Sequence, residues 1–186
     1  METNLCVAGF GGQGVISLGK FLADATCNET DKKITFFPSY GAEQRGGTAN
    51  CYVVISDEEI GAPLGDIMDD LIVMNNASLN KFLVKVHPGG RLFINSSIVT
   101  DEITRDDIEV ISAPVTEMAL EMGNAKVLNV IMLGVYVGYT EVVAPEAVWT
   151  TIEHKLASKA KLLPLNKEAF EKGLAIGKEY LAKKNA

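Results

Sequence analysis

The sequence predicts an α/β fold: a three-layer α/β/α sandwich around a largely parallel central sheet. Three observations predict it. Short apolar or β-branched runs alternate with stretches whose apolar residues recur every three or four positions. The first run and the first helical stretch are joined by Gly9-Phe10-Gly11-Gly12-Gln13-Gly14, with four glycines in six residues. The 186 residues suffice for one sizeable core, and no linker, repeat or low-complexity tract divides them, so 1–186 reads as a single domain.

Taken in order, Asn4 to Gly9 is apolar after Asn4 and reads as a buried strand. Val15, Leu18, Phe21, Leu22 and Ala25 share one face of a helix running to Asn28. Lys33 to Phe37 is a second strand, stopped by Pro38. Ser39-Tyr40-Gly41-Ala42-Glu43-Gln44-Arg45-Gly46-Gly47 then reads as a loop, and Thr48 to Ser56 as a third strand rich in Val, Ile and Tyr. That loop is too short for a crossover helix, which leaves room for a mixed sheet. After a polar turn at Asp57-Glu58-Glu59 comes an acidic segment around Asp66, Asp69 and Asp70, and then a short buried strand, Leu71 to Met74. Asn75-Asn76 can cap a helix running to about Val86.

Pro88-Gly89-Gly90 reads as a turn before the strand Arg91 to Asn95, and Ile108 to Ser112 as a further strand. A short helix from Thr116 to Met122 precedes an apolar one from Lys126 to Tyr139. The apolar residues of the second surround much of its cylinder, as in a helix buried on several sides. Its Gly134 and Gly138, one turn apart, invite close approach by the chain's own core or by a partner. Pro145 suits the first turn of a helix to about Leu156, and a last helix runs from about Lys167 to Lys183.

A net charge of −7 argues against a nucleic-acid partner, which needs a basic face. The longest apolar stretch, Val127 to Tyr139, falls short of the roughly 20 residues of a membrane span. The N-terminal residues lack a basic secretory n-region, so the expected location is the cytoplasm. Cys6, Cys27 and Cys51 are far apart and form no C-x-x-C pair; they read as small packing residues and not as ligands of a cluster. His87 and His154, the only histidines, read as surface residues.

The glycine turn satisfies the dinucleotide pattern G-x-G-x-x-G and lies between a strand and a helix. It lacks the acidic residue expected at the end of the second strand, which reads Phe36-Phe37-Pro38-Ser39. Three readings stand: a nicotinamide or flavin site, glycines that only pack helix on strand, and an anion seat built from bare N–H groups at a helix N-terminus. If the first two strands form a parallel pair, Gly11, Gly12, Gln13 and Gly14 emerge at the same sheet edge as Ser39, Tyr40, Gly41, Arg45, Gly46 and Gly47. Open α/β sheets bind ligands or partners at that edge, and Arg45 would add a planar cation between glycines.

These segments together resemble the gamma subunit of 2-oxoacid:ferredoxin oxidoreductases. The resemblance rests on Gly9 to Val15, Pro38-Ser39-Tyr40-Gly41, Arg45-Gly46-Gly47-Thr48-Ala49 and Val53 to Ser56, and continues through Asn124 to Asn129 and Leu133-Gly134. Ala42 replaces the family's proline after Tyr-Gly, and Gln44 its methionine or alanine before the arginine. The resemblance implies one part of a cytoplasmic multisubunit enzyme that converts a 2-oxoacid and coenzyme A to acyl-CoA and carbon dioxide while reducing ferredoxin. It implies that this chain alone binds no cofactor and is inactive by itself. Thiamine diphosphate and magnesium would sit on alpha and beta subunits, and [4Fe–4S] clusters on a delta-type subunit. The glycine loops would border the coenzyme A cavity or a subunit interface. The alternative is a free-standing nucleotide-binding protein or enzyme.

Overall fold

The computed structural model describes residues 2–40, 48–61 and 67–186, Tyr40 by its backbone only. Among these, six strands form one sheet: β1 (Glu2–Phe10), β2 (Lys33–Tyr40), β3 (Thr48–Ser56), β4 (Met68–Val73), β5 (Val86–Asn95) and β6 (Glu109–Ala113). Their order is β2-β3-β1-β4-β5-β6. β1, β4, β5 and β6 are parallel neighbours, and β3 lies antiparallel between β1 and β2. The helices are α1 (Val15–Glu29), α2 (Asn76–Phe82), α3 (Val115–Glu121), α4 (Leu128–Thr140), α5 (Pro145–Lys155) and α6 (Leu163–Lys184).

The sheet divides the core in two. Leu5, Val7, Cys51, Ile72 and Phe93 face a thick layer built from α1 and α3 to α6. Cys6, Ala8, Leu71, Val73 and Leu92 face a thin one, α2 with Val99, Ile103 and Ile108. This alternation is the two-residue period of β-strands, and it puts the neighbouring residues Cys6 and Val7 in different cores. The three-layer α/β/α fold thus forms around a mixed, mostly parallel sheet.

The boundaries correct several expectations. Pro38 does not stop β2; it pairs with Cys51 inside the strand, and Ser39 and Tyr40 continue it. Proline is tolerated because β2 is an edge strand and needs ladder partners on one side only. Pro88-Gly89-Gly90 is a bulge within β5, where two steps along β4 are matched by five along β5. Gly89 there has φ +83°, which a side chain would resist. Cys27 is exposed, not packed. His154 is exposed, whereas His87 is half-buried, with Nε2 3.0 Å from Asp69 Oδ1.

Asp69 and Asp70 belong to β4, and Asp70 is completely buried. Its Oδ1 accepts from Arg91 Nε at 2.5 Å, and its Oδ2 from Arg91 Nη2 and the Tyr136 hydroxyl, both at 2.8 Å. Burial pushes the Asp70 carboxyl above its ordinary range, and Arg91 and Tyr136 pull against it. Burial likewise opposes the Arg91 charge, and Asp70 more than offsets that, leaving the guanidinium above its usual value. The Phe93 ring lies edge-on to Tyr136 and Tyr139, with centroids 5.1 and 5.8 Å away, so aromatic packing seals the ion pair from the helix side.

α4 is buried from Leu128 to Tyr139 because the sheet covers one side and α6 the other. A Cβ on Gly134 would strike the Phe170 carbonyl, and one on Gly138 the Leu174 carbonyl. A Cβ on Gly173 or Gly177 would strike α4 in return, at the Ile131 or Val135 carbonyl. The face that invited a partner is therefore occupied by α6 of the same chain.

At the edge of the sheet, Glu109 of β6 accepts from the Tyr139 hydroxyl and meets Lys184 Nζ at 2.5 Å. Burial works against the Glu109 charge, but Lys184 and Tyr139 outweigh it and hold the carboxyl below its ordinary range. A depressed carboxyl contributes stability that is present above its unfolded pKa and lost as pH falls through the folded one. Wild type should therefore be more stable than Glu109→Gln at about pH 6, and the gap should close near pH 3. Denaturant unfolding at both pH values measures it; a gap independent of pH would show that Glu109 does not act through its charge.

Candidate anion-binding site

β1 must leave the sheet and reverse within four residues to begin α1. Gly12 (φ +97°) and Gly14 (φ +71°) supply the left-handed backbone this requires. Gln13 holds the turn shut: its Oε1 accepts from Phe10 N at 2.7 Å and from Asn75 Nδ2 at 3.2 Å, and its Nε2 donates to the Met74 carbonyl at 2.9 Å. The same Asn75 caps α2, accepting from Ser78 N at 2.8 Å. Gln13, expected among the ligand-facing residues, is thus a fastener between the ends of β1 and β4.

Gly11 and Gly12 are exposed, and a Cβ on either would meet nothing within 4 Å. Gly11 lacks a positive φ as well, so neither packing nor backbone demands a glycine there. Among the described residues, the N–H groups of Gly11, Gly12 and Gly14 donate to no one. α1 has no side-chain cap and no acidic residue in its first turn. No side chain of α1 thus caps or neutralises the positive end of its dipole, which lies behind the turn.

A second helix adds to this field. α4 runs opposite to the strands, so its N-terminus reaches the same sheet edge. There Asn129 Nδ2 donates to the Gly14 carbonyl at 3.3 Å, and a Cβ on Gly14 would strike the Asn129 amide at 2.7 Å. Two helix N-termini thus converge beside one open glycine turn. The sequence signals this contact only by a lone asparagine, Asn129, inside an otherwise apolar helix.

β1 and β2 run in the same direction, but they are not a pair. Phe10 is opposite Thr48 and Tyr40 opposite Ala49, so the start of β3 separates the two strand ends by roughly 10 Å, two strand spacings. Gly41, Arg45, Gly46 and Gly47 lie outside the described residues. The arrangement also departs from a dinucleotide-binding crossover, since the strand after α1 is not the neighbour of β1.

The chain's thiols do not suit a cluster. Cys6 and Cys51 lie on opposite faces of the sheet, and Cys27 is exposed elsewhere. Burial pushes the Cys51 thiol up to about 12 and Cys6 higher still. Among the described residues, no group of three or more His, Cys, Asp and Glu could hold a metal ion.

A sequence model described as pyruvate ferredoxin/flavodoxin oxidoreductase matches residues 4–176. The chain belongs to that family. Among family members, it is 37% identical over 182 residues to the ketoisovalerate oxidoreductase subunit VorA of Methanothermobacter thermautotrophicus. That alignment covers 97% of this chain and 37% of the relative, so the chain spans little more than a third of the relative's length. The fold of the family is recovered too. The gamma subunit of a keto/oxoacid ferredoxin oxidoreductase from Geobacter sulfurreducens superposes with TM-score 0.84 at 25% identity, covering 95% of this chain and 97% of that one. A 2-oxoglutarate:ferredoxin oxidoreductase from Magnetococcus marinus, solved with 2-oxoglutarate, coenzyme A and succinyl-CoA, gives TM-score 0.88 at 26% identity. It covers 96% of this chain and 31% of that longer one. Among the described residues, no helix is long and apolar enough to cross a membrane.

Proposed function

We propose that this chain is the gamma-type part of a cytoplasmic 2-oxoacid:ferredoxin oxidoreductase, and that its open glycine turn receives the phosphate groups of coenzyme A. The near-complete superposition on a gamma subunit carries the first half of this reading. The bare amides of Gly11, Gly12 and Gly14, with two helix N-termini behind them, support the second. Arg45 would add a bidentate grip on phosphate from its glycine-flanked segment. The 2-oxoacid would react at thiamine diphosphate on alpha and beta subunits, and electrons would leave through [4Fe–4S] clusters to ferredoxin. This chain supplies no thiolate group for such a cluster.

The test is Gly11→Leu, because among the described residues a Cβ at this exposed position meets nothing within 4 Å. Losing a charge-assisted contact costs about 1.5–3 kcal/mol, so the apparent Michaelis constant for coenzyme A should rise about tenfold or more. The constant for the 2-oxoacid should stay put, and Arg45→Ala should act in the same direction. The chain without its partners should form no acyl-CoA. Steady-state kinetics on assembled complexes, varying each substrate separately, decides it. An unchanged coenzyme A constant in a normally assembled Gly11→Leu complex would remove the turn from the site.

A further inference from the structure

The charge of this chain is unevenly spread. Residues 155–186 hold eight lysines and three glutamates, a balance of +5 in a chain of −7, so the residues before them carry −12. The lysines are densest around the connection from α5 to α6. Lys155, Lys159, Lys161 and Lys167 fall within thirteen residues that contain no acid. Lys155 is spent on Asp24, 3.0 Å away, and Lys167 lies over the Trp149 ring at 5.9 Å. Lys159 and Lys161 are exposed and make no ion pair among the described residues, and the same holds for Lys126, just before α4. The backbone leaves helical angles at Lys159 (φ −125°, ψ 47°), and Leu162, just beyond this break, is 37% exposed.

Leu162 and Lys126 border one cleft of about 190 Å³, with Phe21, Val130 and Leu156 making it apolar. Lys159, Lys161 and Leu162 share a second hollow beside it. The start of α4 opens on the same cleft, and its dipole adds to the positive potential. An apolar slot thus lies among unpaired cations, on a chain that is otherwise strongly acidic.

We propose that this patch docks an acidic segment of another subunit, which seats one apolar side chain in the cleft and sets its carboxylates against Lys126, Lys159 and Lys161. The proposal rests on the multisubunit reading above and is independent of the coenzyme A one. The slot has room for a single large side chain, the form an interface anchor takes. The lysines around it supply steering more than affinity, because their charges stay in water. The −12 of the remaining residues disfavours an extended polyanion, either nucleic acid or an anionic bilayer, and tolerates a short acidic segment.

The experiment uses the assembled enzyme without substrates and a carbodiimide, which joins a lysine amine to a carboxylate in contact with it. Lys126, Lys159 or Lys161 should link to Asp or Glu of a different subunit. In reassembly from separated subunits, the triple variant Lys126→Glu/Lys159→Glu/Lys161→Glu should slow association about tenfold or more in dilute salt. The difference should close near about 1 M salt, where charges are screened within about 3 Å. Leu162→Ser should speed dissociation about fivefold or more, and Lys178→Glu, further along α6, should leave both rates near wild type. Reassembly of the triple variant at the wild-type rate and salt dependence would overturn the proposal, as would links only within this chain or to a second copy of it. Capture of phosphatidylserine vesicles by the free chain, lost in the triple variant, would overturn it in favour of a lipid surface. A wild-type chain that joins no other subunit would remove the multisubunit reading and this proposal together.

Discussion

Arg91→Met should lower the stability of the chain by about 3–5 kcal/mol, the usual cost of removing one partner from a buried ion pair. The reason is Asp70, which has no exposure and would keep only the Tyr136 hydroxyl as a side-chain donor. A Coulomb estimate for the intact pair would miss the point, because the loss is chiefly that of an uncompensated carboxylate in an apolar interior. Adding Asp70→Asn should therefore restore much of the deficit: the amide oxygen still accepts from Tyr136 and the buried charge is gone. Denaturant unfolding of the single and double variants tests this directly. An Arg91→Met chain within about 1 kcal/mol of wild type would mean that Asp70 carries no buried charge.

The second large effect is expected at Gly173. Alanine for glycine within a helix ordinarily stabilises by about 1 kcal/mol, through propensity alone. Here the new methyl group would strike the Ile131 carbonyl and crowd Val135 N, 3.0 Å away, both backbone atoms that cannot rotate aside. Gly173→Ala should instead destabilise by about 2–3 kcal/mol, the range of overpacked cores, and lower the melting temperature by roughly 4–12 °C. Gly173→Leu should prevent α6 from docking at all. The sign is the diagnostic. A stabilising alanine would show that α4 and α6 do not touch backbone to backbone.

Most of the candidate turn could be read from the sequence because its determinants are local. The apolar run through Gly9, the clustered glycines and the face of Val15, Leu18 and Leu22 each constrain only their neighbours. What escaped was whatever depends on residues far along the chain. Nothing near Gly9 says that β3, some forty residues later, will pair with β1, so β1 and β2 read as adjacent. Asp70 reads from the sequence only as part of an acidic segment, because its compensation comes from Arg91 and Tyr136. Pro38 and Pro88 looked like punctuation because an edge strand and a bulge, which excuse proline, are properties of the finished sheet. Gln13 fits a ligand-facing role in a glycine turn until the Met74 carbonyl and Asn75 are seen to occupy its amide.

The mutual glycine contact between α4 and α6 also bears on how the chain leaves the ribosome. α4 is apolar on nearly every side, and its outer face has no cover until α6, which follows α5 in the sequence, has been made. At ordinary synthesis rates that interval is on the order of seconds. During it, the nascent chain presents its most hydrophobic helix to whatever is nearby, with the flat Gly134–Gly138 stripe outermost. Trigger-factor-like holding chaperones, or a pause that brings α6 out sooner, would matter most in that window.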